Sequence, residues 1–286
     1  MKALTTLLVA NRGEIAVRVM RTAKAMGLKT VAVYSEADAN AQHVREADQS
    51  VCIGPAPVAD SYLQMDAILD AAERTGADCI HPGYGFLSEN QAFASACEAK
   101  GIEFIGPPNA AIEVMGDKAR AKRAMIDAGV PCVPGYQGDD QAVSTLVAEA
   151  EKIGLPVMVK AAAGGGGRGM RLVHELSELE TAIDMAQSEA QNAFGSSELI
   201  IEKAVMRPRH VEIQVFADKA GHTVYLGERD CSIQRRHQKV VEEAPCPVMT
   251  PELRAAMGQS AVEAARAVNY VGAGTVEFLL DEAGEF

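Results

Sequence analysis

Residues 157–173 read VMVKAAAGGGGRGMRLV. An apolar run, Val157-Met158-Val159, leads into Lys160, and Met170-Arg171-Leu172-Val173 has the same strand-forming character. Between them, Gly164 to Gly169 hold five glycines in six residues, interrupted by Arg168. The run contains a formal G-x-G-x-x-G match, but a dinucleotide-binding fingerprint opens a helix, and here a strand follows. Nor does a Lys-Ser/Thr pair close it as in a Walker A loop. Two readings remain: a floppy surface hairpin, or a flap whose bare backbone N–H groups close over phosphate oxygens with Arg168 adding positive charge. The entropy lost in ordering so many glycines favours the second. Lys160, at the end of a buried-looking strand, either snorkels to the surface or aims at a ligand phosphate; the flap beside it favours the ligand.

Working outward from the flap, helix Gln141–Ile153 and strand Pro156–Ala161 precede it, and a long helix Leu176–Phe194 and strand Glu198–Lys203 follow. Farther upstream, 128–139 (AGVPCVPGYQGD) has the proline and glycine content of a boundary, after a helix starting near Asp117. The first 106 residues alternate short apolar runs with helical patterns: Thr6–Ala10, Glu14–Met26, Lys29–Tyr34, Tyr62–Arg74, Asp78–His81, Gln91–Lys100 and Ile102–Ile105. Such alternation predicts a parallel sheet covered by helices. The turn Asn11-Arg12-Gly13 at a strand's carboxyl end is either a ligand site or a plain helix entry. Downstream, His210–Ala217, Thr223–Glu228 and Ser232–Glu242 are expected as antiparallel strands joined by short links, then a helix Pro251–Val268 and a strand Gly274–Leu280. The chain stops two residues after the turn signal Asp281-Glu282-Ala283-Gly284, which is expected to mean a fragment cut within a hairpin.

The 286 residues carry 27 basic and 39 acidic side chains, a formal charge of −12 that argues against generic nucleic-acid binding. Lys203 to Lys239 run against that trend, with eight Lys/Arg and four acids, which suggests a small anionic ligand. Period two puts His210, Glu212 and Gln214 on one face of their strand, either solvated or facing a ligand. In the next basic stretch it separates Arg235, His237 and Lys239 from Gln234, Arg236 and Gln238, again either a solvated edge or an anion site. Glu277 stands in a strand whose opposite face is Val276, Phe278 and Leu280, and suggests a hard cation or an ion pair. The six cysteines form no C-x-x-C pair and fit a reducing cytoplasm. Neither a signal peptide nor an apolar run long enough for a membrane span is evident.

Taken together, VANRGEIAVR (9–18), HPGYGFLSEN (81–90), GDK (116–118), GGGGRGMR (164–171), PRHVEIQV (208–215), ERDCSIQRRHQK (228–239) and GTVEF (274–278) resemble biotin carboxylase, a member of the ATP-grasp superfamily, over the whole chain. The resemblance implies a Rossmann-like N-terminal α/β domain (1–116), a linker helix (117–134), a glycine-rich lid subdomain (135–204) and an incomplete ATP-grasp half (205–286). It implies that ATP phosphorylates bicarbonate to carboxyphosphate, whose CO₂ carboxylates biotin on a biotin carboxyl carrier protein, with a carboxyltransferase acting next. By the same resemblance, Lys118 and Lys160 bind ATP, Gly166 and Gly167 lie in the lid, and Glu202, Lys203, Ala204 and Val205 form the hinge that reads adenine. His210, Gln234 and His237 line the nucleotide, Glu277 holds Mg²⁺ or Mn²⁺, and Lys239 binds bicarbonate with Gln238 beside it.

The family's glycine run is often one residue longer than here. Its remaining catalytic motifs follow the position of Glu277, so this polypeptide alone is expected not to turn over. A homodimer is expected for the full-length protein, with no nucleic-acid or membrane partner. The rivals are another ATP-grasp ligase, such as a carbamoyl-phosphate synthetase, and a non-catalytic nucleotide-binding module; the 228–239 stretch is what separates the first from biotin carboxylase.

Overall fold

A computed structural model of the chain describes residues 3–163, 170–234 and 240–286. They divide into two compact units, Met1–Ile112 and Glu113–Phe286.

In the first unit, β1 (Thr6–Val9), α1 (Gly13–Ala25), β2 (Lys29–Ser35), α2 (Gln42–Glu46), β3 (Gln49–Gly54), α3 (Met65–Thr75), β4 (Cys79–His81), α4 (Gln91–Ala99) and β5 (Glu103–Phe104) follow one another. The strands form one parallel sheet in the order β3-β2-β1-β4-β5. Successive β1 residues point to opposite faces: Leu7 and Val9 pack with Ala16, Val19 and Met20 of α1, while Leu8 packs with Ile68 of α3 and Phe93 of α4. The sheet is thus covered on both faces, as its nearly continuous apolar strands require. Strand β3 was not legible in the sequence. It is an edge strand with one neighbour, and Ile53 is its single buried residue, so QSVCIG shows no apolar run.

Helix α5 (Asn109–Met115) contains the division between the units. In the second, α6 (Lys118–Asp127), β6 (Gly135–Tyr136), α7 (Val143–Ile153), β7 (Val157–Ala161), β8 (Arg171–Val173), α8 (Leu176–Phe194) and β9 (Leu199–Lys203) build an antiparallel sheet ordered β6-β9-β7-β8. Its apolar face, with Val157, Val159 and Ile201, packs on Leu146 of α7 and Leu179 and Ile183 of α8. Then β10 (Arg209–Ala217), β11 (Thr223–Asp230), α9 (Pro251–Ala267) and β12 (Gly272–Leu280) form a second antiparallel sheet, β11-β10-β12, with Val211, Ile213 and Phe278 on Met257 and Ala261 of α9. Thr250 caps α9 through its side chain, and proline follows in the first turn as expected.

The expected strand Ser232–Glu242 is a correction. Ser232–Gln234 and Val240–Glu242 belong to no strand, and 235–239 lie outside the described residues. Glu243, farther along, makes the bridge to Asp230. Alternation misled because the stretch is polar on both sides and has no apolar face to press against a core. Among the described residues, no helix is long and apolar enough to cross a membrane.

Candidate functional site

Two groups of polar side chains in the second unit draw together most of the described candidate residues. The first gathers where α6 meets the four-stranded sheet. Lys118 and Lys122, four residues apart, share one face of α6. The helix start is tied to the sheet by Lys118 N–H donating to Ala162 O (3.1 Å), by Lys118 Nζ donating to Ala161 O (3.1 Å), and by a small apolar contact of Ala119 with Ala162 and Ile200. In β7, Val157, Val159 and Ala161 are buried in the core, so the alternation turns Lys160 to the other face. On the neighbouring β9, Glu202 lies opposite Met158, within diagonal reach of Lys160. Its carboxylate is divided between two ammonium groups: Oε1 accepts from Lys122 Nζ at 2.7 Å, and Oε2 pairs with Lys160 Nζ.

All three side chains are shielded, with 7% (Lys122), 13% (Glu202) and 21% (Lys160) of their surface exposed. Burial by itself would raise the Glu202 pKa, but the Lys160 and Lys122 ammonium charges, together with their hydrogen bonds, outweigh it and hold the carboxyl below its ordinary value. Lys118 is shifted down, first by burial and then by the nearby Lys160 cation. The arrangement therefore concentrates positive charge in a partly desolvated place, where it interacts more strongly with an anion than it would in bulk water.

The expected hinge runs on from Glu202. Lys203 donates its backbone N–H to Pro134 O (2.8 Å), and its Nζ satisfies Gly154 O and Leu155 O at 2.9 and 2.8 Å, beyond the end of α7. Ala204 N–H donates to Pro156 O (3.0 Å); Ala204 is buried and Val205 half-buried.

The second group lies on the three-stranded sheet. β10 and β12 pair with Glu212 directly opposite Glu277, and His210 Nε2 lies 3.2 Å from Glu277 Oε2. Glu277 remains 47% exposed, whereas the Glu212 side chain is 3% exposed and paired with Arg229 Nη2 at 2.5 Å. The polar face of β10 is accordingly not plain solvent at its centre. Arg229 Nε also reaches Glu242 Oε2 at 3.4 Å. Gln234 folds back on its own loop, donating to Cys231 O (2.8 Å) while its Oε1 accepts the N–H groups of Val240 (2.5 Å) and Val241 (3.1 Å). His237, Gln238, Lys239, Gly166 and Gly167, together with Arg168, Arg235 and Arg236, lie outside the described residues.

Four described cations of the net positive stretch 203–239 are engaged within the fold. Of its described members, Lys203 serves backbone carbonyls, Arg209 pairs with Asp230 (2.7 Å), Arg229 with Glu212, and Arg207 with Glu282 (3.2 Å). Summing charges along the chain overlooks partners that folding brings in. Lys122 was missed because a mid-helix lysine normally points to solvent; its i+4 spacing from Lys118 was the available signal. Glu212 and Arg229 were likewise underrated. In the first unit the Asn11-Arg12-Gly13 turn holds its own surroundings: Asn11 Nδ2 donates to Pro82 O and Tyr84 O, both at 2.9 Å, and Arg12 pairs with Asp38 while lying over the Tyr62 and Phe86 rings. An open groove of about 720 Å³ beside α8, lined by Arg171, Asp184, Met185 and Glu189 among others, contains none of the candidate residues.

Comparison with known proteins places these features. Residues 3–112 match the biotin carboxylase N-terminal domain, and residues 117–286 match the ATP-binding domain of the carbamoyl-phosphate synthase L chain. The mitochondrial methylcrotonoyl-CoA carboxylase subunit alpha of Dictyostelium discoideum is 59% identical over 285 residues, covering 100% of this chain and 41% of that protein. The chloroplastic biotin carboxylase of Arabidopsis thaliana is 57% identical over 280 residues, covering 98% and 52%. Among solved structures, a biotin carboxylase–β,γ-ATP complex from Campylobacter jejuni superposes with a TM-score of 0.96 at 49% identity, over 99% of this chain and 64% of that one. The biotin carboxylase domain of the Hydrogenobacter thermophilus 2-oxoglutarate carboxylase, complexed with MgADP, ADP and bicarbonate, gives 0.93 at 50% identity, over 100% and 63%. This chain thus spans about two fifths to one half of the length of these curated relatives. Two family models matched in order, and likeness of this depth along the whole chain, mean that it belongs to the biotin carboxylase family, with an ATP-binding domain of the carbamoyl-phosphate synthase L chain type.

Proposed function

We propose that the protein to which this chain belongs carboxylates biotin at the expense of ATP. The γ-phosphoryl group of ATP passes to a bicarbonate oxygen, leaving ADP and forming carboxyphosphate. Carboxyphosphate breaks down to CO₂ and phosphate, and the N1′ of biotin gives its proton to that phosphate as it forms a bond to the CO₂ carbon. The observation that carries this reading is that Lys122 and Lys160 share one shielded carboxylate with the Lys118 ammonium close enough to feel the Lys160 charge, since transfer of a phosphoryl group to a weak nucleophile is mainly positioning and charge neutralisation.

In this reading Lys118 and Lys160 bind the triphosphate under a lid that includes Gly166 and Gly167. The hinge Glu202–Val205 receives the adenine, and His210, Gln234 and His237 line the nucleotide. Glu277 offers an accessible carboxylate of the oxygen type that a hard cation takes, with His210 orienting it, which fits Mg²⁺ and equally Mn²⁺. When bound, such a cation neutralises phosphate charge. Lys239, with Gln238, holds the bicarbonate. The corresponding division is a first domain over 1–116, a linker helix over 117–134, a lid over 135–204 and the remaining ATP-grasp part over 205–286. Biotin comes on a carrier protein or domain, a carboxyltransferase consumes the product, and the full protein is a dimer. Six free cysteines suit a reducing compartment, for which we propose the cytoplasm.

The test is ATP hydrolysis by the full protein with MgATP and free biotin, with and without bicarbonate. Bicarbonate-dependent hydrolysis is expected. Lys160→Met should weaken MgATP binding about ten- to a hundredfold, the worth of a charged hydrogen bond of roughly 1.5–3 kcal/mol. Hydrolysis indifferent to bicarbonate, or no MgATP binding at all, would overturn the reading.

A further inference from the structure

Lys122 adds to the positive charge described above but has no nucleotide contact assigned to it, and it is the more deeply buried of the two ammonium groups on Glu202. Its surroundings are arranged around it. A Cβ on Gly135 would come within 2.8 Å of Lys122 Nζ, so β6 has a glycine where the ammonium sits, and the backbone beside it is crowded as well, at 2.4 Å from Ile201 O. The bond from Lys122 to Glu202 links α6 to β9 across 80 residues of sequence.

Consider the pair Lys160–Glu202 alone. A buried carboxylate in contact with Lys160 cancels its charge, so the lysine would offer an incoming anion little attraction. Drawing Lys160 away would also leave the carboxylate buried without a counter-ion, the costly way to break such a pair. With Lys122 on Oε1, the three groups sum to one net positive charge, and Glu202 stays compensated whether or not Lys160 remains on Oε2. We infer that Lys122 is a positioning residue for Lys160: by neutralising Glu202 it frees the Lys160 ammonium to serve an anionic phosphate oxygen. This rests on the nucleotide reading of Lys118 and Lys160 given above. In that reading Lys122 acts through Glu202 and not on the nucleotide itself.

The experiment is calorimetric titration of the full protein with a non-hydrolysable MgATP analogue. Lys122→Gln is the central variant, because it keeps an N–H donor toward Glu202, and so the tether between helix and sheet, while removing the charge. It should bind the analogue about tenfold more weakly than wild type. Lys122→Arg, which restores the charge, should recover affinity to within about threefold. Once Glu202→Gln has removed the carboxylate, adding Lys122→Gln should change affinity by less than about twofold, since no charge is left to compensate. A Lys122→Gln protein that binds as tightly as wild type, while Lys160→Met does not, overturns this inference and leaves the nucleotide reading standing. Wild-type protein that fails to bind the analogue, or Lys160→Met that binds as wild type does, overturns both.

Discussion

The shielded network at Asp38 in the first unit and the one at Glu202 in the second treat charge differently. In the first, charge is consumed by the fold: Asp38 accepts from Tyr62 Oη (2.6 Å), Ser35 Oγ (3.0 Å) and Arg12 (3.2 Å), and Asp78 takes the backbone N–H groups of Thr5 and Thr6. Burial lowers the pKa of His43, whose ring nitrogens lie against Val33 O and Gly13 N–H. In the second, the Glu202 carboxylate is shared by two lysines, so the trio retains a positive charge. Closed networks hold a sheet together, whereas an unbalanced one costs desolvation without full return and points to a ligand of opposite sign.

The comparison breaks most visibly at Glu202. Glu202→Ala would leave Lys122 and Lys160 facing each other without their shared counter-ion, and should destabilise the second unit by about 3–5 kcal/mol in chemical denaturation. Its pH signature has a definite sign. The folded pKa of Glu202 is depressed, because its two lysines outweigh burial, so the stabilisation it confers is present above the ordinary carboxyl value near 4.5 and is lost as pH falls through the lower folded value. Glu202→Gln should therefore flatten the acid limb of the stability profile below about pH 4.5. An unchanged limb would mean that Glu202 is not held as described.

A smaller effect is expected in the Asp38 network of the first unit. Burial, reinforced by Asp38, pushes the Tyr62 pKa up to about 12, so the phenol remains a proton donor at neutral pH. Tyr62→Phe removes one of three donors to Asp38 and the acceptor of Ser35 N–H, and should cost about 1–2 kcal/mol with no change in nucleotide affinity. Smallest is the cap of α4, where Asn90 Oδ1 accepts from Phe93 N–H at 2.9 Å: Asn90→Ala should cost about 1 kcal/mol, read as a shift in the denaturation midpoint.

Much of the fold was legible locally. Helical spacing puts Ile15, Val19 and Met26 with Ala16 and Ala23 on one stripe of α1. Ala16, Val19 and Ala23 are buried, but Ile15 is only half-buried and Met26 is exposed, while Gly27 takes the positive φ of +84° that its place after the helix anticipates. α8 matched its expected span from Leu176 to Phe194. The misses have one cause in common, a dependence on neighbours. β3 is a strand because β2 offers its edge, and the described residues 232–234 and 240–242 form none, with the Gln234 side chain taking the N–H groups of Val240 and Val241 that a ladder would have used. At the site, Lys118, Lys160, Glu202, His210 and Glu277 could be named from motif resemblance and Glu212 placed on the polar face of its strand, but the role of Lys122 and the pairing of Glu212 with Arg229 could not be read, since each depends on a partner brought in by folding.

Sequence by itself determined the parallel first sheet, the strand–glycine–strand flap signal and the family, because hydrophobic period, turn chemistry and motif order are written in consecutive residues. Tertiary structure decided which charges stand together. Electrostatic energy depends on separation and on how much water is excluded, and neither is a property of position along the chain. Only folding brings Lys122, Lys160 and Glu202 within contact, and only there do three ordinary side chains become one shared positive charge.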